Sequence, residues 1–73
     1  GHQYDVVVAN ILSNPLRMLA SALASYVKQG GRIILSGILD SQIDEMCGIY
    51  NEWFDMSVYK IQDGWVSLHG IRK

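Results

Sequence analysis

The chain has 73 residues, 49% hydrophobic and 18% charged, with a net charge of −1 and a single cysteine. Its length allows at most one small domain, burying roughly 60% of its unfolded surface, and its composition excludes a disordered segment. The near-zero charge gives no electrostatic case for nucleic acid or an anionic membrane, no run reads as a signal peptide or membrane span, and one cysteine excludes an internal disulfide, which points to a reducing cytoplasm.

The charge content is low for a chain that must expose much of its surface, so part of that surface is expected to be covered by something else. Residues 5–9, DVVVA, are rich in valine, with Val6–Ala9 continuously apolar rather than alternating, as in a strand covered on both faces. Asn14 suits a helix cap and Pro15 the first turn after it. Leu16, Leu19, Ala20, Leu23 and Val27 then recur on one helical face. This predicts a helix from Pro15 to Lys28, terminated by Gly30-Gly31. RIILSGIL carries a second strand, about 32–36, and Asp40 or Ser41 caps a second helix with Ile43, Met46, Cys47 and Tyr50 inward. A third strand is expected at about 54–61. Asp63-Gly64 is a strong hairpin signal, and WVSLHGI returns as a fourth strand.

Strands separated by single helices imply parallel crossovers, and the terminal hairpin adds one antiparallel strand. The fold class is α/β, one unit over residues 1–73, with three parallel strands, one antiparallel strand and two helices. A strand as apolar as Val6–Ala9 expects a neighbour on each side. The strand at 32–36 supplies only one, so a further half of the sheet is expected on the N-terminal side.

DVVVANILSNPLRMLA, GGRIILSGILDSQ and GWVSLHGIRK, in that order, resemble the C-terminal part of the PrmA family. These are S-adenosylmethionine-dependent methyltransferases that modify a large-subunit ribosomal protein. The resemblance implies the C-terminal half of a Rossmann-like class I domain, whose four strands here are the fourth to seventh. The last of them is expected antiparallel and inserted beside the fifth. It also implies S-adenosyl-L-methionine as cofactor, bound mainly in the N-terminal half. Gly30-Gly31 is not the family's glycine-rich cofactor turn, because it follows a helix and precedes a strand rather than the reverse.

Asn10 ends the first strand, where residue type alone reads it as a turn or cap. The resemblance gives it another role. Class I enzymes that methylate amines carry a polar residue after the fourth strand that accepts hydrogen bonds from the target amine, at the carboxyl end where open α/β sheets bind ligands. Asn10 is therefore the candidate for amine orientation and for contact with the cofactor's reacting end. Ile11 and Leu12 follow it as candidate substrate-binding residues. They stand where a proline-aromatic motif would stack a planar base, so an aliphatic amine fits better. Ser36 and Gly37, ending the neighbouring strand, are candidate substrate-binding residues too, with a tight turn requiring Gly37 as the structural alternative.

The other chemistry-bearing residues read as structure. His2 and His69 share no motif with a carboxylate, and Cys47 lies on an apolar helix face. Asp40, Asp44 and Glu45 are helix-start charges favoured by the dipole, and Trp53 and Trp65 are expected as core or hairpin anchors. No spacing suggests a metal. The expected function is that of a cytoplasmic protein N-methyltransferase acting on lysine side chains, and possibly the N-terminus, of a ribosomal protein. The fragment alone is expected to be inactive and to self-associate through its first strand. The alternative is a non-catalytic α/β module that binds a partner through that strand.

Overall fold

A computed structural model describes residues 3–10 and 16–73. The six elements of the expected pattern appear in order, with one added 3-10 turn: β1 (Tyr4–Asn10), α1 (Leu16–Tyr26), β2 (Val27–Leu39), a 3-10 turn (Asp40–Gln42), α2 (Ile43–Tyr50), β3 (Phe54–Gln62) and β4 (Trp65–Arg72). The strands form one sheet in the order β1-β2-β4-β3. β1 runs parallel to β2, whereas β4 is antiparallel to both β2 and β3. The last strand thus inserts beside β2, the place implied for it above. The Asp63-Gly64 hairpin is confirmed, with positive φ at both residues (52 and 79), as a tight primed turn demands.

One face of this sheet carries both helices. Ile33, Leu35, Val66, Leu68 and Phe54 from the strands meet Ala20, Ala24, Met46 and Tyr50 from the helices in a single buried cluster. The period of two along each strand sends the intervening residues to the other face. Val6 and Val8 lie there and are 53% and 68% exposed, while Val7 and Ala9 pack toward the helices. Among the described residues β1 pairs only with β2, so it forms a sheet edge. The double-sided cover expected for Val6–Ala9 is not supplied among the described residues.

Two local expectations are corrected. The first helix ends at Tyr26, and Gly30-Gly31 lies inside β2 rather than stopping the helix. Val27 has already joined β1 opposite Tyr4, and the next pair is Val6 with Arg32, so residues 28–31 bulge opposite Asp5. Val27 is buried from the strand rather than from the helix face. The second correction concerns the cap. Neither Asp40 nor Ser41 caps α2; its N-cap is Gln42, which makes no side-chain cap bond. The Gln42 side chain instead accepts from the Leu39 N–H at 3.0 Å, closing the 3-10 turn. Asn14 and Pro15 lie outside the described residues. Ile43 and Cys47 are partly buried, and Met46 and Tyr50 fully so, matching the expected inner face of α2.

Arg72 ties the carboxyl end of β4 to α1 and to the segment between α2 and β3. Its Nε donates to the Ala24 carbonyl at 3.2 Å and its Nη1 to the Trp53 carbonyl at 3.3 Å, with the guanidinium 6.0 Å from the Phe54 ring centre. Nothing in the local pattern of HGIRK foretells this, because both acceptors come from distant parts of the chain.

Tyr50 is buried at 0% exposure, and its hydroxyl has no hydrogen-bond partner among the described residues. Burial pushes its pKa from 10.0 up to about 12. In the unfolded chain the phenol ionises near ~10 while the folded state holds its proton, so stability is intact below ~pH 10 and falls by about 2–3 kcal/mol as pH rises to ~12. Tyr50→Phe is expected to remove this loss and to be neutral or stabilising at neutral pH, since an unpartnered buried hydroxyl costs about 1–3 kcal/mol. Urea unfolding of both proteins across this range checks it. An alkaline loss that persists in Tyr50→Phe refutes the assignment.

Candidate functional site

The site is built by two bulges that face one residue. In β2, Leu35 pairs with Leu68 and Ile38 with Val66, so Ser36 and Gly37 together oppose Ser67. In β3, Val58 pairs with Leu68 and Lys60 with Ser67, leaving Tyr59 as the extra residue. Both neighbours of β4 therefore bulge at Ser67, which bends the sheet locally and re-aims the adjoining side chains. Gly37 adopts φ 77, so the backbone here favours glycine, but in a bulge inside β2 rather than in the tight turn weighed for it.

A cleft of about 470 Å³ opens at this bend. Asn10, Ser36 and Gly37 line it from the carboxyl ends of β1 and β2, and Lys60, Gln62, Asp63, Trp65, Val66 and Ser67 from the hairpin. Asn10 and Ser36 are direct partners in the parallel ladder, and the Ser36 hydroxyl donates to the Ala9 carbonyl at 3.4 Å. The structure thus brings together Asn10, Ser36 and Gly37. Ile11 and Leu12 lie outside the described residues.

The hairpin residues of this cleft were missed by sequence reasoning. Lys60 and Gln62 sit on the same face as Ser67 and Trp65, their register partners. Trp65, expected as a core or hairpin anchor, follows the hairpin turn directly but stays out of the core, 49% exposed and lining the cleft, whereas Trp53 packs against the core. Only the alternation of Trp65 with buried Val66 could have flagged it.

The remaining candidates stay structural. Cys47 is partly buried, and burial with the nearby Asp44 carboxylate pushes its thiol pKa up, opposite to what a nucleophile needs. Asp44 and Glu45 occupy the first turn of α2 and Asp40 the 3-10 turn. His69 lies in β4 with its ring centre 6.3 Å from that of Tyr59, bordering a groove of about 390 Å³ on the bare sheet face. His2 lies outside the described residues. Among the described residues, no three His, Cys, Asp or Glu side chains gather as metal ligands, and no helix is long and apolar enough to cross a membrane.

The mixed sheet with its two helices is an α/β arrangement shared with solved methyltransferases. A ribosomal protein L11 methylase from Lactobacillus delbrueckii subsp. bulgaricus superimposes over 100% of this chain and 38% of its own, with TM-score 0.84 and 30% identity. The N-methyltransferase NodS from Bradyrhizobium japonicum covers 100% of this chain and 52% of its own at TM-score 0.63 and 12% identity, a likeness of fold alone. The family model described as "Ribosomal protein L11 methyltransferase (PrmA)" matches residues 1–73, and the chain belongs to that family. Curated relatives named ribosomal protein L11 methyltransferase include those of Neisseria meningitidis serogroup B, 56% identical over 71 residues, and Chromobacterium violaceum, 59% identical over 71 residues. Each match covers 97% of this chain and 24% of the relative. The chain therefore spans about a quarter of the length of these relatives.

Proposed function

We propose that this segment forms the substrate side of an S-adenosylmethionine-dependent protein N-methyltransferase acting on amino groups of ribosomal protein L11. Lysine side chains are the expected acceptors, with the N-terminus as a further one. The observation that carries this reading is the cleft at the carboxyl ends of parallel strands, with Asn10 and Ser36 paired at its rim in a chain of this family.

When bound, S-adenosylmethionine supplies an electrophilic methyl group on a sulfonium. The residues present fit only its reacting end: the cleft offers the Asn10 amide and the Ser36 and Ser67 hydroxyls, and no strand–glycine-turn–helix occurs among the described residues. The main cofactor contacts then belong to the part of the relatives that this chain does not span. The role of Asn10 is orientation. A lysine amine has an ordinary pKa of about 10.4 and must react neutral. The Asn10 side-chain oxygen accepts one of its N–H hydrogens, which leaves the nitrogen lone pair pointed along the line of displacement. Holding nucleophile and methyl in line supplies much of such catalysis.

Methylation of purified L11 by the full-length enzyme with isotopically labelled S-adenosylmethionine, followed by mass mapping of the modified amines, tests the reading. Label absent from L11 amines rejects it. The isolated 73-residue segment is expected to be inactive, to show no micromolar cofactor binding in calorimetry, and to self-associate through β1. Micromolar binding there would place the cofactor site within this segment and overturn the assignment. The exposed edge of β1, with Tyr4 at 55% and Val8 at 68%, is the observation that favours the second reading, a partner-binding module. The methylation assay separates the two.

A further inference from the structure

The cleft holds one feature that amine orientation leaves unexplained, a large aromatic side chain kept out of the core. Trp65 directly follows the Asp63-Gly64 turn and pairs with Leu39 and Gln62, yet it stays 49% exposed. Val66 and Leu68 are buried against the helices, so alternation puts Trp65 and Ser67 on the opposite face, the one that Asn10 shares with exposed Val6 and Val8. Asn10, Ser36 and Trp65 then border one cleft from three adjacent strands.

Charge cannot select the substrate here. Lys60 and Asp63 line the same cleft with one charge of each sign, so its described lining has no excess charge of either sign to draw in an ammonium or a carboxylate. Selection falls to shape and to the indole. A Trp face packs well against a methylene chain and attracts a protonated or methylated nitrogen by cation–π interaction, about 0.5–2 kcal/mol depending on desolvation.

We propose that Trp65 is an acceptor-binding residue of this site: its ring holds the aliphatic stem of the acceptor amine while Asn10 orients the nitrogen. This rests on the methyl-transfer reading above and deepens it.

The test uses the full-length enzyme with L11 and with a lysine-containing peptide as acceptors, measuring kcat, KM, cofactor dissociation constant and melting temperature. Trp65→Ala is expected to raise KM for both acceptors about tenfold, with the cofactor dissociation constant unchanged. Trp65→Phe, which keeps a ring, is expected within about threefold of the native KM, and Trp65→Leu well above it. An unchanged KM in Trp65→Ala overturns the inference. If Trp65→Ala does not fold, the Phe and Leu variants decide: a difference between them supports the inference, and equal KM values overturn it. Failure of the underlying reading looks different, since the native enzyme then transfers no label to acceptor amines at all.

Discussion

Asn10→Ala in the full-length enzyme is expected to slow methyl transfer by roughly 10²-fold, the scale on which a misplaced reacting group loses its in-line geometry. Such a loss corresponds to about 2.7 kcal/mol of transition-state stabilisation. Cofactor affinity is expected to stay nearly native, because the role proposed for Asn10 is at the reacting end of the cofactor alone. Folding stability is expected to change little as well. Asn10 ends an edge strand, its side chain is exposed, and its ladder partner Ser36 is bonded through backbone that alanine retains. The competing role, a turn residue, predicts the reverse: a lower melting temperature with turnover per folded molecule preserved. Single-turnover rates and thermal unfolding on the same variant decide between them, and unchanged turnover rejects the assignment of Asn10.

The second large effect falls on stability. Gly31→Ala is expected to destabilise the protein by about 2–3 kcal/mol, the upper part of the usual range for overpacking. A Cβ at this position would lie 2.8 Å from the Lys28 carbonyl oxygen and 2.9 Å from that of Asp5, and 3.0 Å from a methyl of Val27. Two of these three are backbone atoms of the bulge that joins β1 to β2, so relief requires parting the strands rather than turning a side chain. The Lys28–Asp5 ion pair across the same bulge, at 3.6 Å and well exposed, offers little compensation. Gly48→Ala is the control. It sits in α2 with nothing within 4 Å of an added Cβ, and alanine there is expected to stabilise by about 0.5–1 kcal/mol. Equal denaturant midpoints for the two variants would refute the close-approach argument.

The elements themselves were legible in the sequence because each rests on local pattern. DVVVA reads as a strand, the Leu19–Leu23 period as a helix, and Asp63-Gly64 as a turn that few other dipeptides make so readily. The chain order of elements and the single antiparallel strand followed from connection rules. Family membership followed from the runs around Asn10, Gly37 and Trp65, which also placed Asn10 at the end of a parallel strand. What the pattern could not set was where strand begins and helix ends. Gly30-Gly31 has the composition of a helix stop, yet Val27 joins β1 first, and cross-strand pairing overrides the local preference. Tertiary structure alone decided the cleft. Ser36 and Gly37 become a bulge only because β4 offers one residue against two, and Lys60 and Trp65 reach the rim of Asn10 only because β4 inserts between β2 and β3. Those contacts join residues 50 or more positions apart in the case of Asn10, and a separation of that kind leaves no periodic trace along the chain. Sequence thus determined the elements and the family, because local propensity and short motifs carry them. The fold decided which side chains share a site, because strand insertion and register are properties of the assembled sheet.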